Sequence, residues 1–481
     1  MQSRMCYDDT AWEKSEEIAD TWVRQFFDPS ISRPIGNFVI RHHNPDEAVK
    51  FDILEKGAFN IALRMTYKIG SAIIRFPLPG ATMFPEEKLR YEVATMRYIH
   101  DHTTIPVPFV FHWGSKKDCP LEVGPFIIME YIEHHSTMYE GILEAMYGEM
   151  AGVLLQLSKP SLPRIGSLSQ IDDFTWEVAH RPISLAMNEL VRLGTLPQTR
   201  LPSSSTPFHS TSLYLETLAD LHIAHLKHQR NDAIESADDC RRKFVARAKL
   251  NKRWAAAGFD TGPFKLWGDD FRPSNVLVTN DRRRIASIVD LEFTYAAPVE
   301  FSFAPPWWLL LERPEYWPGG LEEWTHLFDR RLRTFLRAMG RCEDDAIQGG
   351  RLLNERDRLS GPMRESWDSG DFWIVYAAMR NFAFDLVYWH KIDRRFFGPT
   401  DGVEEDAWRQ RLGLLDDAEK EEMERLVAQK LQEMETRVLA WDPDPYTVSY
   451  GDVVKTLAAK KNCNPEANEG DGVDNLESEV K

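Results

Sequence analysis

The segment from Trp267 to Thr294, WGDDFRPSNVLVTNDRRRIASIVDLEFT, constrains this chain more than any other. Four residues separate Asp270 from Asn275, and Asp290 lies fifteen residues beyond that asparagine. The apolar run Val276-Leu277-Val278 directly follows Asn275, and a second apolar run, Ile285 to Val289, directly precedes Asp290. Two short apolar runs around a polar stretch predict a strand, a turn and a returning strand. A returning strand brings Asp290 back toward the loop that carries Asp270 and Asn275. Asp270 taken alone reads as a turn or cap residue, and an isolated Asp-x4-Asn carries little information. The combination with two bracketing strands is much more specific.

Upstream, the pattern is of another kind. FDILEKG, NIALRMTY and SAIIRFPL are short β-type runs separated by turn signals, which predicts an antiparallel meander over residues 50–79. PEEKLRYEVATMRYIHDH then predicts a helix, with Pro85 in its first turn and Leu89, Val93, Met96 and Ile99 along one face. A Pro-punctuated loop leads to a strand in FVFHWG, and GPFIIMEYI supplies a buried strand from Phe126 to Tyr131. Residues 10–27 predict a helix with Ala11, Ile18, Trp22 and Phe26 on one face, capped by Asp9 or Thr10 and packed on the body of the protein. From Glu133 onward the chain reads mainly helical, beginning with MYEGILEAMYGEMAGVLLQLS. Residues 160–210, rich in Ser, Pro and Leu, read as loop-dominated, and residues 211–258 as long charged helices.

The chain has 481 residues, 43% of them hydrophobic and 28% charged, an ordinary globular balance. Its formal charge of -17 argues against nucleic acid as the main partner, since phosphate backbones are held by clustered cations. An acidic surface suits cationic substrates and also suits many soluble proteins. The five cysteines are scattered, with no CxxC, so neither a disulfide framework nor a zinc site is expected. No stretch has the length and apolarity of a transmembrane helix, and the first residues lack the apolar core of a secretory signal. A soluble, cytoplasmic protein is expected.

WGDDFRPSNVLV followed by IVDLEF resembles the HGD-x4-N and IDWE signature of the aminoglycoside-phosphotransferase and choline-kinase-like family, within the protein-kinase-like superfamily. GAFN stands at the nucleotide loop, SAIIRFPLPG at the third strand, EKLRYEVATMRYI at the small lobe's helix and FIIMEYI at the hinge strand. The likeness covers roughly residues 45–400 with long gaps. It implies an α+β fold of two lobes, a small one with an antiparallel sheet plus helix and a larger, mainly helical one. The implied division is an N-terminal helical extension (1–44), the N-lobe (45–133), the C-lobe (134–458, with the catalytic loop at 267–292) and a disordered acidic tail (459–481).

The resemblance further implies ATP or GTP as phosphate donor, Mg²⁺ as cofactor and a small-molecule hydroxyl as acceptor. It makes Asp270 the catalytic base and Asn275 and Asp290 the magnesium ligands. Arg75 becomes the phosphate-binding cation, oriented by Glu92. Gly57, Phe59 and Asn60 lie in the loop over the phosphates, and the backbone from Glu130 to Ile132 holds the base. Phosphoryl transfer needs this set: a carboxylate near the attacking hydroxyl and hard oxygen ligands for the metal. Three positions depart from the family pattern. Gly268 stands where its histidine is expected, Arg75 replaces a lysine, and the nucleotide loop has a single glycine. Aligning on WGD instead makes Asp269 the base.

No activation-segment motif follows Asp290, which argues against a protein kinase. Glu292 reads equally as a metal ligand through water or as a solvated strand-end acid. Asp385, Tyr388, Trp389 and Asp393 share one helical stretch, where acids beside aromatics suit a cationic amine, although each alone reads better as packing or surface. Pro305 to Leu311 reads as a buried wall. The alternative to an enzyme is a non-catalytic nucleotide-binding pseudokinase or scaffold.

Overall fold

A computed structural model describes residues 9–134, 136–137, 143–230, 233–250, 260–279, 284–350, 357–401, 406–436 and 443–449. The expected tail at 459–481 lies outside the described residues, as do residues 138–142 of the helix expected after Glu133 and residues 251–258.

The chain opens with α1 (Asp9–Arg24) and α2 (Pro29–His42). Asp9 and Thr10 already lie inside α1 rather than capping it. Asp28 starts α2 by accepting from Ser30 N at 2.9 Å. Pro34 costs this helix one internal hydrogen bond, and burial of Ile35, Phe38 and Val39 on the small lobe holds it in place. Trp22 of α1 packs edge-on against Phe76, as the expected docked helix should.

The small lobe is an antiparallel sheet of β1 (Ala48–Lys56), β2 (Asn60–Tyr67), β3 (Ser71–Pro77), β4 (Val110–Gly114) and β5 (Phe126–Glu130), in the order β1-β2-β3-β5-β4. β2 buries alternate residues, Ile61, Leu63 and Met65, which is the pattern that made it legible. α3 (Pro85–His102) lies between β3 and β4 in sequence and packs on the lobe. Order and boundaries follow the expectation closely.

Beyond the two-residue β6 (Ser136–Thr137) and α4 (Leu143–Leu157), the stretch read as loop is in fact structured. It forms a hairpin of β7 (Ser167–Asp172) and β8 (Thr175–His180), then α5 (Leu185–Arg192). Ser184 caps α5 by accepting from Met187 N at 3.2 Å. The unit bridges the lobes. Arg181 forks onto Glu87 of α3 at 3.0 and 2.8 Å, and Trp176 Nε1 donates to Ala94 O. Asn188 ties down the turn before α3, accepting from Met83 N and donating to Ala81 O.

The large lobe continues with α6 (Thr211–His228) and α7 (Ala237–Leu250), as the charged helical pattern predicts. β9 (Lys265–Gly268), β10 (Val276–Val278), β11 (Ile285–Ile288) and β12 (Thr294–Ala297) frame the central loop. β10 pairs antiparallel with β11 and with β6, and β9 with β12. α8 (Val299–Phe303), α9 (Gly320–Gln348), α10 (Ser360–Ser369) and α11 (Asp371–Met379) close the lobe around an aromatic core. Among the described residues, no helix is long and apolar enough to cross a membrane.

Candidate active site

Between the lobes, the β9–β12 segment faces β3 and α3. The β10–β11 pairing fixes its geometry: Val276 lies opposite Ile288, and Val289 N donates to Asn275 O at 3.0 Å. Asp290 and Asn275 are thereby brought side by side, as the returning strand predicts. Asp290 has φ +57°, a left-handed conformation that a non-glycine residue adopts at a cost of order 1–3 kcal/mol. Such strain persists where the surroundings impose it.

Asn275 is buried and spends its amide nitrogen on the loop itself, donating to Asp270 O at 2.9 Å. Its amide oxygen accepts from Ser274 Oγ at 3.2 Å and keeps a second lone pair. Asp270 pairs with Arg272 at 3.2 Å and is 8% exposed. Burial raises its pKa, Arg272 and Arg313 oppose that shift, and neighbouring Asp269 adds to it.

The alternative assignment to Asp269 meets a different environment. One oxygen of that carboxylate lies 2.8 Å from Arg380 Nη2 and the other accepts from Leu185 N, at the start of α5, at 2.8 Å. Asp269 is an anchor for the loop, with both oxygens engaged. Gly268, in place of the family histidine, is set by packing: a Cβ there would stand 3.1 Å from Phe271 Cβ.

Arg75 sits mid-strand in β3, opposite Ala62 and Ile127. Its guanidinium donates to Glu92 of α3 through one nitrogen and to Asp290 Oδ1 through another at 2.9 Å. Burial alone would lower its pKa, but Glu92, Asp290 and Glu292 outweigh burial and raise it. Burial raises the Glu92 carboxyl, against the pull of Arg75. Asp290 is raised by desolvation, and with a side chain 42% exposed it is the acid of this group most open to the cleft.

Glu292 is not the solvated strand-end acid of the second reading. It is buried, 3.0 Å from Lys88 Nζ, and within 3.4 Å of Asn60 Nδ2. Lys88, a residue the sequence reading passed over, is 1% exposed and stands 4.2 Å from the Phe293 ring centroid and 5.2 Å from that of Phe59. Phe59 in turn meets Phe293 edge-on at 5.6 Å. The β1–β2 turn is therefore stitched to the segment after Asp290. The available signal was spacing: Lys88 and Glu92 lie four apart on one helix face. Gly57 N donates to Asn60 O at 2.8 Å, and a Cβ at Gly57 would make only ordinary contact at 3.4 Å. The turn itself does not require that glycine.

At the hinge, Glu130 N donates to Phe109 O and Tyr131 N to Ser71 O, while Ile132 O bonds the His134 ring at 2.8 Å.

In the acid–aromatic stretch the packing reading holds for both rings, while the acids are ion-paired rather than solvated. Asp385 is held bidentately by Arg247 at 2.6 and 2.9 Å, and Asp393 by Arg411. Tyr388 and Trp389 are 1% exposed, inside the core. Both acids already hold an arginine, the place the amine was expected to take. Pro305, Trp308 and Leu309 are buried, as expected of a wall, but the wall ends before Leu311, which is exposed.

A family model described as the phosphotransferase enzyme family (APH) matches residues 54–343. This chain belongs to that family. It is accordingly a phosphotransferase acting on small-molecule hydroxyl groups, with the two-lobed kinase-like fold. No curated protein sequence matches significantly. One similar solved structure is a thermostable mutant of aminoglycoside phosphotransferase APH(4)-Ia in ternary complex with AMP-PNP and hygromycin B. It is 14% identical, covers 76% of this chain and 99% of its own, and has a TM-score of 0.41. Another is spectinomycin phosphotransferase APH(9)-Ia with ADP and spectinomycin: 13% identical, 82% and 97% covered, TM-score 0.37. The family match, rather than these distant likenesses, carries the assignment.

Proposed function

We propose that the cleft transfers the terminal phosphate of ATP or GTP to a small-molecule hydroxyl, with Asp270 as the base. The acceptor oxygen forms the new bond to phosphorus, the bond to the leaving diphosphate breaks, and the hydroxyl proton passes to Asp270. The observation that carries this reading is the convergence of Asp270, Asn275 and Asp290 on one cleft, with Arg75 bridging Asp290 and Glu92.

The donor set fits Mg²⁺, which prefers hard oxygens and keeps several waters. Among the described residues there is no cluster of three or more His, Cys, Asp or Glu side chains arranged for a metal. An Asn–Asp pair is a different kind of site, one that would leave room for water on the ion. Asn275 and Asp290 would hold the ion, which supplies charge neutralisation on the phosphates. Arg75 is drawn from Asp290 toward the phosphates while Glu92 keeps it in place. The Gly57–Asn60 turn covers them, and backbone between Glu130 and Ile132 accommodates the base.

The test is transfer of labelled terminal phosphate from ATP and from GTP to a panel of amino, sugar and choline-type alcohols. The reading expects a phosphorylated acceptor with wild type and none with Asp270→Asn. Transfer undiminished in Asp270→Asn would refute the role given to that residue.

A further inference from the structure

A second cavity lies in the large lobe among α6, α7 and the chain from Asn381 to His390, lined by residues other than those that build the catalytic cleft. Its volume of about 390 Å³ is in the range of ligand pockets. The apolar gap behind Asp269 and Trp308 is only about 80 Å³, too small for an acceptor. The larger cavity is strongly polar, and most of its charges are already matched. Arg247 is held by Asp385, and Lys243 is paired with Asp239 at 2.8 Å.

The lining also carries the carboxylates of Asp239 and Asp385, both ion-paired, and of Glu235 on its exposed rim; the unmatched groups of its buried interior are mainly donors. His225 is 3% exposed and neither ring nitrogen has a partner. Asn381 is 5% exposed and its Nδ2 has none. Arg242 Nε is buried without a partner, its guanidinium 5.5 Å from the Trp389 ring centroid. Burial, and after it the charge of Arg247, holds His225 well below the ordinary histidine range, so the ring is neutral and offers one N–H. An unmatched buried polar group is costly, and native proteins rarely leave several together. Water can satisfy such groups, but in the buried interior Asp239 and Asp385 are already paired and the neutral His225 ring adds a single acceptor nitrogen. A cavity with spare donors and one unpaired guanidinium selects an anion instead.

We propose that this cavity is a binding site for a compact oxyanion, a carboxylate- or phosphate-bearing metabolite, held by Arg242, Asn381 and His225. The site adjoins the catalytic machinery through the chain. Asn381 follows Arg380, whose guanidinium donates to Asp269 O at 3.1 Å and pairs with the Asp269 carboxylate. An anion fixed on Asn381 therefore bears on the anchor of the loop that carries Asp270. This inference does not depend on the nature of the phosphate donor.

The experiment is thermal unfolding of the full chain with inorganic phosphate or citrate from zero to tens of millimolar, at ionic strength matched with chloride. Wild type, Arg242→Gln, Asn381→Leu and Asp290→Ala are compared. A ligand that binds the folded state raises its stability in a saturable way. The site predicts saturable stabilisation in wild type and Asp290→Ala, lost in Arg242→Gln and Asn381→Leu. Arg242 is partly exposed, so its variant keeps the test valid if Asn381→Leu fails to fold. A saturable shift that survives Arg242→Gln places the anion outside this cavity and overturns the proposal, whatever Asp290→Ala does. The absence of any saturable shift in wild type that unfolds cooperatively assigns the cavity to water and overturns it too.

Discussion

The cleft around Asp290 and the stretch from Asp385 to Asp393 contain the same ingredients, acids beside aromatics with arginines nearby, and they have opposite fates. In the stretch each acid is consumed. Arg247 takes both oxygens of Asp385 and Arg411 those of Asp393, while Tyr388 and Trp389 fill the core. In the cleft, Arg75 is shared between Glu92 and Asp290, Lys88 takes Glu292, and Asp290 keeps a side chain 42% exposed. Composition is the same, and what separates a structural acid from an available one is whether its partner is exclusive. A shared, partly open pairing leaves a group able to exchange its guanidinium for a cation or phosphate. An exclusive bidentate pair does not.

The largest effect that would sharpen this contrast is on the base. Asp270→Asn is expected to lower kcat by about 10²–10⁴-fold, the usual contribution of a positioned proton acceptor. Its unfolding temperature should stay near wild type, because Asp269 rather than Asp270 anchors the loop. Steady-state kinetics beside a melting curve separate the two, and a variant of Asp270 that unfolds early would break the division of labour.

Arg75→Met should damage both function and fold. It leaves Glu92 buried without its cation, and breaking such a pair costs about 3–5 kcal/mol. Denaturant unfolding reads the loss, and Glu92→Leu in the same chain should restore part of it without restoring transfer.

Asp393→Ala breaks the exclusive pair. A stability loss of about 3–5 kcal/mol is expected from the stranded Arg411, with kcat per folded molecule unchanged. Altered kcat at constant folded fraction would count against calling this stretch structural.

The smallest effect is on acid stability. Burial would raise Asp385, but the charge and hydrogen bonds of Arg247 prevail and its folded pKa is lowered. A depressed folded value means this pair stabilises the protein above the ordinary aspartate range and loses that contribution as pH falls through the lower folded value. Acid unfolding followed below pH 5 should show a shallower slope in Asp385→Asn. An identical slope would show that Asp385 has the same pKa folded and unfolded.

How much of this was legible follows the same logic. The small lobe announced itself because β2 and β3 alternate and α3 carries a clean apolar stripe, so local pattern and fold agree. The convergence of Asp270, Asn275 and Asp290 was legible because one hairpin of short reach enforces it. The β7–β8 hairpin and α5 were hidden. Their strands present few apolar residues each, such as Leu168 and Val178, and the Ser- and Pro-rich composition around them reads as loop. The Lys88–Glu292 pair was hidden for a different reason. Charged residues are usually solvated, and only the folded chain shows that Phe59 and Phe293 close over this pair. The fates of Asp385 and Asp393 depended on Arg247 and Arg411; Arg247 lies far away along the chain, and no local rule links either pair.

Nucleotide-dependent thermal stabilisation of wild type and Asp290→Ala tests the central claim most directly, with ATP and GTP, each with and without magnesium. The account predicts a rise in unfolding temperature with nucleotide that is larger with magnesium, and loss of the magnesium-dependent part in Asp290→Ala. No rise at millimolar nucleotide in a cooperatively unfolding wild type, or a magnesium-dependent rise that survives Asp290→Ala, would contradict it.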